Sequence, residues 1–278
     1  MQVSPYEQDA LEAAAWRDLF DAAPPALRRE LGLEAVEVGP ALVLRSTGLD
    51  HLLFNRAIGL GSATAPQDRE LSAILEGYRE RGIARYFIHV HEGAGSDGLR
   101  HRLERFGLAP YRRSWWKYAR GREAPRPART PHPIVPAAPE HGEAIGRLFC
   151  HGFDAPEAAA PLLAPIVRRP GWHPYVALDG SRVAGMGALY VRRRFGYLAF
   201  AVTEAAYRRR GIQGALMARR IHTALELGCE VLVTETGEEV PGEPNPSGDN
   251  MVRHGFRVVG RRHNYAPRGV AWPRRRPE

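Results

Sequence analysis

The sequence predicts a mixed α/β protein built from two similar halves. Three observations carry this. The chain has 278 residues, enough for about two domains, each able to bury a core. A segment near its middle, Arg120–Pro133, holds four prolines and no apolar periodicity, which is linker composition. On either side of it the same order of helix, glycine stop and strand recurs.

The repeat is clearest at the closing segments. Leu103–Gly121 and Met251–Gly269 each read as a helix end, a glycine (Gly107, Gly255), a basic strand, an aromatic (Tyr118, Tyr265) and an Arg-Gly exit. Upstream, the first half has a helix over Glu70–Arg81, Gly82 and a strand over Tyr86–Val90. The second has a helix over Gly214–Leu227, Gly228 and a strand over Val231–Thr234. The glycines fit left-handed C′ caps. Further elements of the second half are a short strand at His132–Pro136 and a helix over Pro139–Phe149 with Ile145, Leu148 and Phe149 on one side. Strands Tyr175–Leu178 and Arg182–Val191 follow, joined by the hairpin signal Asp179-Gly180. Tyr197–Thr203 is the next strand. The order β-α-α-β-β-β-α-β-α-β is a mixed α/β layer arrangement. The expected division is residues 1–121, a linker at 122–130, and residues 131–278.

Composition excludes several classes. No apolar run approaches the roughly 18–20 residues of a membrane span. Glu7, Asp9 and Glu12 stand where a signal peptide would be basic and then apolar, so a cytoplasmic location is expected, with no membrane partner. Cys150 and Cys229, the two cysteines, cannot form a disulfide framework or a zinc cluster. The net charge is +8, almost all from arginine, Lys117 being the single lysine. A basic chain binds nucleic acid or a polyanionic small molecule, and charge alone favours neither. No helix-turn-helix, RNP or zinc signature is present, so no nucleic-acid partner is expected.

The segment Thr203–Arg220, TEAAYRRRGIQGALMARR, carries the chemistry. An apolar strand runs in, a basic glycine-containing loop follows, and an amphipathic helix runs out. Met217, Ile221, Ala224, Leu225 and Gly228 form its apolar stripe, with Arg219, Arg220, Thr223 and Glu226 expected to face away. The first amides of a helix lack intrahelical partners, and the dipole favours an anion there. Gly211 and Gly214 remove side chains that would block close approach. Arg208, Arg209 and Arg210 add charge. The plainer alternative is a basic helix cap with solvated arginines.

Arg208-x-x-Gly211-x-x-Gly214 resembles the acyl-CoA loop of the GNAT (Gcn5-related N-acetyltransferase) superfamily. Thr203 precedes it at the family spacing, and Ser247-x-x-Asn250-x-x-x-x-Gly255-Phe256 resembles the family's last helix and its ending. The resemblance is strong over Pro131–Arg268 and weaker over the first half. It implies two tandem GNAT-like domains, each a mixed, largely antiparallel sheet flanked by helices. It implies acetyl-CoA as co-substrate, no metal, and a small-molecule amine as acceptor. The implied cofactor-binding residues are Val202, Thr203, Arg208, Arg209, Arg210, Gly211, Ile212, Gln213, Gly214 and Asn250. Pantetheine would lie where the fourth and fifth strands splay, often at a bulge. Gln213 and Ala205 depart from the family pattern without removing backbone donors. Met251 stands where many members carry a tyrosine that acts as general acid. That departure supports a second reading, a non-catalytic acyl-CoA-binding or sensing module.

In the first half the position matching the loop is Ser62–Gln67, without arginine or glycine. This half is expected to keep the fold and lack the pyrophosphate site. From Ile221 to Val252 there is no Lys or Arg, while Glu226, Glu230, Glu235, Glu238, Glu239, Glu243 and Asp249 are present. The reversal suits a cationic amine acceptor, or else a solvated acidic loop. Glu235 is the expected proton acceptor, with His222 or His263 as substitutes. His89 and His91 share a strand face and could ligate a metal or line a polar face. Phe54-Asn55-Arg56 needs polar partners if buried. Of Trp115 and Trp116, one is expected in the core and one in a crevice wall.

Overall fold

The computed structural model describes every residue except 1, 2, 63, 94, 95, 112, 240, 241, 243 and 271–278. The chain opens with α1 (Pro5–Ala22), started by a Ser4–Glu7 capping box with Pro5 at its first position. Next come α2 (Pro25–Glu30), the hairpin β1 (Leu33–Val38) and β2 (Ala41–Ser46), and β3 (Arg56–Ile58). Helix α3 (Asp68–Glu80), β4 (Phe87–His91), α4 (Ser96–Arg105), β5 (Leu108–Pro110) and β6 (Trp115–Arg120) complete the first half. The second half runs β7 (Ile134–Pro136), α5 (Gly142–Phe153), β8 (Trp172–Asp179), β9 (Arg182–Arg192), β10 (Phe195–Thr203), α6 (Ile212–Glu226), β11 (Val231–Gly237), α7 (Pro246–Arg253) and β12 (Arg257–Pro267). The expected elements are present within a few residues. The second helix expected between β7 and β8 is two 3₁₀ turns, Glu157–Leu162 and Ala164–Arg168. Pro161 and Pro165 within them remove amide donors that an α-helix needs.

Two compact units form, and neither is one continuous stretch. The first holds Ser4–Trp116 and the chain from Gly260; the second holds Lys117–Val259. This differs from a division at residues 121 and 131. Backbone pairing is the reason: β12 lies antiparallel to β4 from Arg262↔His91 to Tyr265↔Ile88, and to β5 from Tyr265↔Pro110 to Pro267↔Leu108. The strand that closes the second half of the sequence is thus part of the first unit.

Each unit is a mixed, largely antiparallel sheet with flanking helices. In the first, β1–β2 and β2–β3 are antiparallel and β3–β4 parallel. One apolar core joins Val43, Ala57, Ile88 and Val90 to Leu71, Ile74 and Tyr78 of α3. In the second, β7–β8, β8–β9 and β9–β10 are antiparallel and β10–β11 parallel. Ile145, Leu148 and Phe149 of α5 are buried as their spacing predicts.

The opposite side of the first unit's sheet carries a buried polar cluster among apolar residues. Glu12 pairs with Arg56 at 3.0 Å and with Arg262, and His91 Nε2 lies 2.8 Å from Asp9. His89 Nδ1 lies 2.8 Å from Asn264 Oδ1. Burial and the guanidinium groups of Arg262 and Arg56 push the His89 pKa well below its ordinary value, so the ring is neutral and donates from Nδ1. The two histidines thus have separate side-chain partners, and no group of three metal-ligating side chains occurs among the described residues. Asn55 accepts from Ser46 N–H at 2.7 Å and donates to the Leu49 carbonyl at 2.8 Å. Trp115 and Trp116 are both half-buried, so neither is a core residue, and Arg261 lies 5.6 Å over the Trp116 ring.

Candidate active site

The basic loop lies between β10 and α6. A 3₁₀ turn at Ala205–Tyr207 leads into Arg208. Arg209 and Gly211 then adopt positive φ, 64° and 77°. The first helical bond found here runs from Ala215 N–H to the Gly211 carbonyl at 3.0 Å. The amides of Ile212, Gln213 and Gly214 therefore face out of the helix start. Arg208, Arg209 and Arg210 are exposed. Arg210 lies 5.2 Å over the Tyr207 ring, Arg182 lies 5.6 Å from the same ring, and Tyr207 Oη donates to Asp179 at 2.7 Å. Thr203 Oγ1 donates to Gln213 Oε1 at 3.4 Å, tying strand end to helix start.

The two glycines also have close neighbours on other segments. A Cβ at Gly211 would lie 2.1 Å from the Arg129 carbonyl oxygen, so this glycine accommodates the chain of residues 121–130 as well as a left-handed backbone. A Cβ at Gly214 would meet Ala128, Asn250 and His254 at 3.5–3.6 Å, which is ordinary contact.

Beside the loop the sheet opens. The β10–β11 pairing runs from Phe195↔Val231 to Tyr197↔Val233, and Thr234 Oγ1 then donates to the Leu198 carbonyl at 2.8 Å. A bulge follows in β10 between Ala199 and Ala201, where Phe200 adopts φ 44°. A positive φ at a bulky aromatic is strained and persists only where surroundings fix it. The Phe200 ring is held by Phe149, Phe153 and Trp172, with centroids 5.3, 6.4 and 5.8 Å away. Val202 is buried, close to Gly152 of α5.

Arg220 supports the bulge from the α6 side. The amphipathic pattern put Arg220 and Thr223 on the solvent face; both are buried. Arg220 Nη1 donates to the carbonyls of Ala188 and Ala199, and Nε to Leu216, each at 3.1 Å. A Cβ at Gly187 would come within 2.9 Å of the guanidinium, so the missing side chain opens the slot that admits it. Burial lowers the Arg220 pKa to about 9, still above neutrality. Thr223 shares a 2.7 Å hydrogen bond with Tyr175 Oη.

Glu235 sits two residues beyond the last β10–β11 pair. Its Oε2 accepts from Lys117 Nζ at 2.7 Å and its Oε1 from Tyr197 Oη at 3.5 Å. Lys117, the single lysine, is buried. Tyr118, next along β6, has its hydroxyl 3.2 Å from the Cβ position of Gly248 in the first turn of α7. Burial, then the charges of Glu239 and Asp249, raise the Tyr118 pKa, which keeps the hydroxyl protonated. Met251, one turn further along α7, is buried, and Asn250 Nδ2 lies 3.9 Å from Met217 Sδ. The acidic stretch is not one surface. Glu230 pairs with Arg194 at 3.3 Å at the start of β11, and Glu226 is exposed on α6. Glu239 and Asp249 act on Tyr118; Glu243 lies outside the described residues. His222 is exposed on α6, and His263 meets Ser114 Oγ at 3.1 Å in the first unit. Sequence reasoning missed Lys117, Tyr118, Tyr197 and the inward turn of Arg220. The one available signal was the lone lysine.

The matching helix of the first unit starts differently. Glu70 reaches back to Gln67 N–H at 2.7 Å, and Asp68 pairs with Arg102. One donor at this helix start, the Gln67 amide, thus faces a carboxylate of its own chain.

The parallel pair β10–β11 thus opens beside a basic helix start in a mixed α/β fold. Residues 146–242 match the family model described as Acetyltransferase (GNAT) family. Solved structures extend the similarity of fold to most of the chain. A GCN5-related N-acetyltransferase from Kribbella flavida superposes with TM-score 0.60 at 14% identity, over 91% of this chain and 95% of that one. A tandem GNAT protein from the clavulanic acid biosynthesis pathway gives 0.58 at 14%, over 97% and 98%. A putative acetyltransferase from the GNAT family of Novosphingobium aromaticivorans gives 0.54 at 17%, over 86% and 92%. No curated protein sequence matches this one. No helix among the described residues is long and apolar enough to cross a membrane.

Proposed function

We propose that the chain is an N-acyltransferase that uses acetyl-CoA and acetylates a small, cationic amine. The observation that carries this reading is the opening between β10 and β11, which starts at a bulge and lies beside the basic start of α6. The residues present fit the co-substrate: outward amides at the start of α6, and exposed Arg208, Arg209 and Arg210 around them. Acetyl-CoA supplies an acyl group activated as a thioester.

In this reading the amides of Ile212, Gln213 and Gly214, with Arg208–Arg210, hold the pyrophosphate. The main chain near Val202 and Thr203 holds the pantetheine arm, and Asn250 borders it from α7. An acceptor amine attacks only when neutral, so its proton needs a base. Glu235 fills that role, held in place by Lys117 and Tyr197. The departing thiolate needs a proton. Tyr118 stands near the α7 face where Met251 cannot supply one, and its hydroxyl stays protonated at neutral pH.

Met251 also favours a second reading, an acyl-CoA-binding module without turnover. Two measurements separate the readings. Titration calorimetry should give one acetyl-CoA per chain, since α3 is capped by its own carboxylates. CoA release across a panel of amines should then find an acceptor, and Tyr118→Phe should lower its turnover about 10²–10⁴-fold, the range of general acid catalysis, with acetyl-CoA affinity unchanged. Binding without release for any amine supports the sensing module. No binding at all refutes both.

A further inference from the structure

Residues 121–130, linker-like in composition, are packed against the second unit. Arg120, buried at the end of β6, anchors them: its guanidinium donates to the carbonyls of Glu123 and His254, with Ala124 at 3.4 Å. Pro125 is buried. The Arg129 carbonyl lies against Gly211, and Ala128 lies beside Gly214. The segment is thus fixed at both ends, and its prolines stiffen it between them. It crosses the start of α6.

Glu123 of the segment acts on Arg120, but three further arginines there lack a carboxylate partner. Arg126 and Arg129 of this segment, and Arg253 at the end of α7, are exposed, and none forms an ion pair among the described residues. Next to Arg253 is His254, 5% exposed. Its Nδ1 is buried without a hydrogen-bond partner, and its Nε2 lies 3.6 Å from the Cβ position of Gly214. Burial lowers the His254 pKa to about 4, helped by Arg120 on β6, Arg253 on α7, Arg126 on the crossing segment and Arg220 on α6. Four elements thus direct positive charge at one buried imidazole with an unmatched ring nitrogen. A buried polar group without a partner is costly, and the exposed Arg126 and Arg253 beside it suit a dianion.

We infer that residues 121–130 form a fixed strap whose Arg126, with Arg253 and His254, makes a second phosphate site that takes the 3′-phosphomonoester of CoA. This rests on the proposed function, in which the start of α6 takes the pyrophosphate. The linker would then be part of the co-substrate site, and the enzyme would discriminate CoA from its 3′-dephospho form.

Titration calorimetry at fixed ionic strength tests this with CoA, 3′-dephospho-CoA and inorganic phosphate. The wild-type protein should bind CoA about tenfold or more tightly over 3′-dephospho-CoA, the scale of one or two charge-assisted hydrogen bonds. Arg126→Ala and Arg253→Ala should each weaken CoA severalfold and leave 3′-dephospho-CoA unchanged, and the double variant should lose the preference. Arg122→Ala, on the same strap, should keep it. Inorganic phosphate should compete with CoA more strongly than with 3′-dephospho-CoA. Equal affinity of the wild type for both nucleotides overturns the strap site and leaves the proposed function standing. So does a double variant that weakens both alike, which marks a diffuse charge effect. If the wild type binds neither, the proposed function fails and takes this inference with it.

Discussion

Replacing Arg220 with methionine should separate stability from function. The guanidinium is 1% exposed with no carboxylate among its hydrogen-bond partners. Burial lowers its pKa to about 9, so holding the charge inside costs on the order of 5 kcal/mol at about 1.4 kcal/mol per unit. Against this stand hydrogen bonds to three carbonyls, those of Leu216, Ala188 and Ala199, at about 1.5–3 kcal/mol each for a charged donor. The two effects are of similar size. Methionine fills most of the volume and removes both, so net stability should change by no more than about 2 kcal/mol, or roughly 4–8 °C in Tm for a unit of this size. The bulge should respond differently. Without Arg220 the Ala199 carbonyl loses the group that fixes it next to Phe200, and β10 can shift by a fraction of an ångström beside the proposed thioester position. Misplacement near 1 Å costs about 10²-fold, so kcat/KM should fall about 10–100-fold. Arg220→Lys should fall between the two, since one ammonium can replace Nη1 at Ala188 and Ala199 but leaves the Leu216 carbonyl without the Nε donor. Thermal melting and steady-state CoA release measure both effects. A methionine variant that keeps kcat/KM within threefold refutes the bulge-positioning argument, and one that loses more than about 4 kcal/mol refutes the near-cancellation.

Glu235→Gln should lower turnover and change the pH profile, because it removes the proposed proton acceptor; Glu238→Gln and Glu239→Gln should raise the acceptor's KM with little effect on kcat, as for loss of uniform binding. Full turnover with an unchanged profile in Glu235→Gln moves the base elsewhere. Glu12→Gln in the first unit should destabilise the chain by about 3–5 kcal/mol in urea titrations, since it removes the carboxylate shared by the buried cations Arg56 and Arg262; a loss below 1 kcal/mol contradicts that pairing. His89 and His254 both have folded pKa values below the ordinary 6.5, well below it for the first and about 4 for the second. The unfolded chain therefore binds more protons as pH falls below 6.5, and stability should drop progressively from pH 6.5 towards 4. A Tm that stays level from pH 7 to 4.5 contradicts both assignments.

Much of the architecture was readable because it is written in local periodicity and punctuation. The strand–loop–helix unit from Tyr197 to Leu227 has a continuous apolar run, then charge and glycine, then a period of 3.6, and each signal is independent of what packs outside it. The role of the linker was hidden for the opposite reason. Pro125, Arg126 and Pro127 have the composition of a free segment, and the contacts that fix it are carbonyl oxygens, Arg129 against Gly211 and Glu123 on Arg120. Main-chain carbonyls are the same in every residue, so composition cannot show them. Arg220 was placed outside because an amphipathic pattern counts an arginine as polar, and the slot that admits it comes from an absent side chain, Gly187, on another element.

Strand partnership was illegible for a deeper reason. Alternation says which residues share a face but not which strand lies alongside, so nothing in β12 announces that its neighbours are β4 and β5. One residue did point towards the consequence. In a chain whose basic residues are otherwise all arginine, Lys117 stands alone. Arginine's planar fork suits bidentate contacts, whereas an ammonium is a compact charge that one carboxylate oxygen can satisfy. Glu235 divides its oxygens between Lys117 and Tyr197, and a guanidinium reaching for both would displace the tyrosine. The exception in composition therefore marks the place where the closing strand of the first half enters the proposed chemistry of the second, supplying the lysine that holds the proposed base and, one residue on, the tyrosine proposed in place of the missing acid.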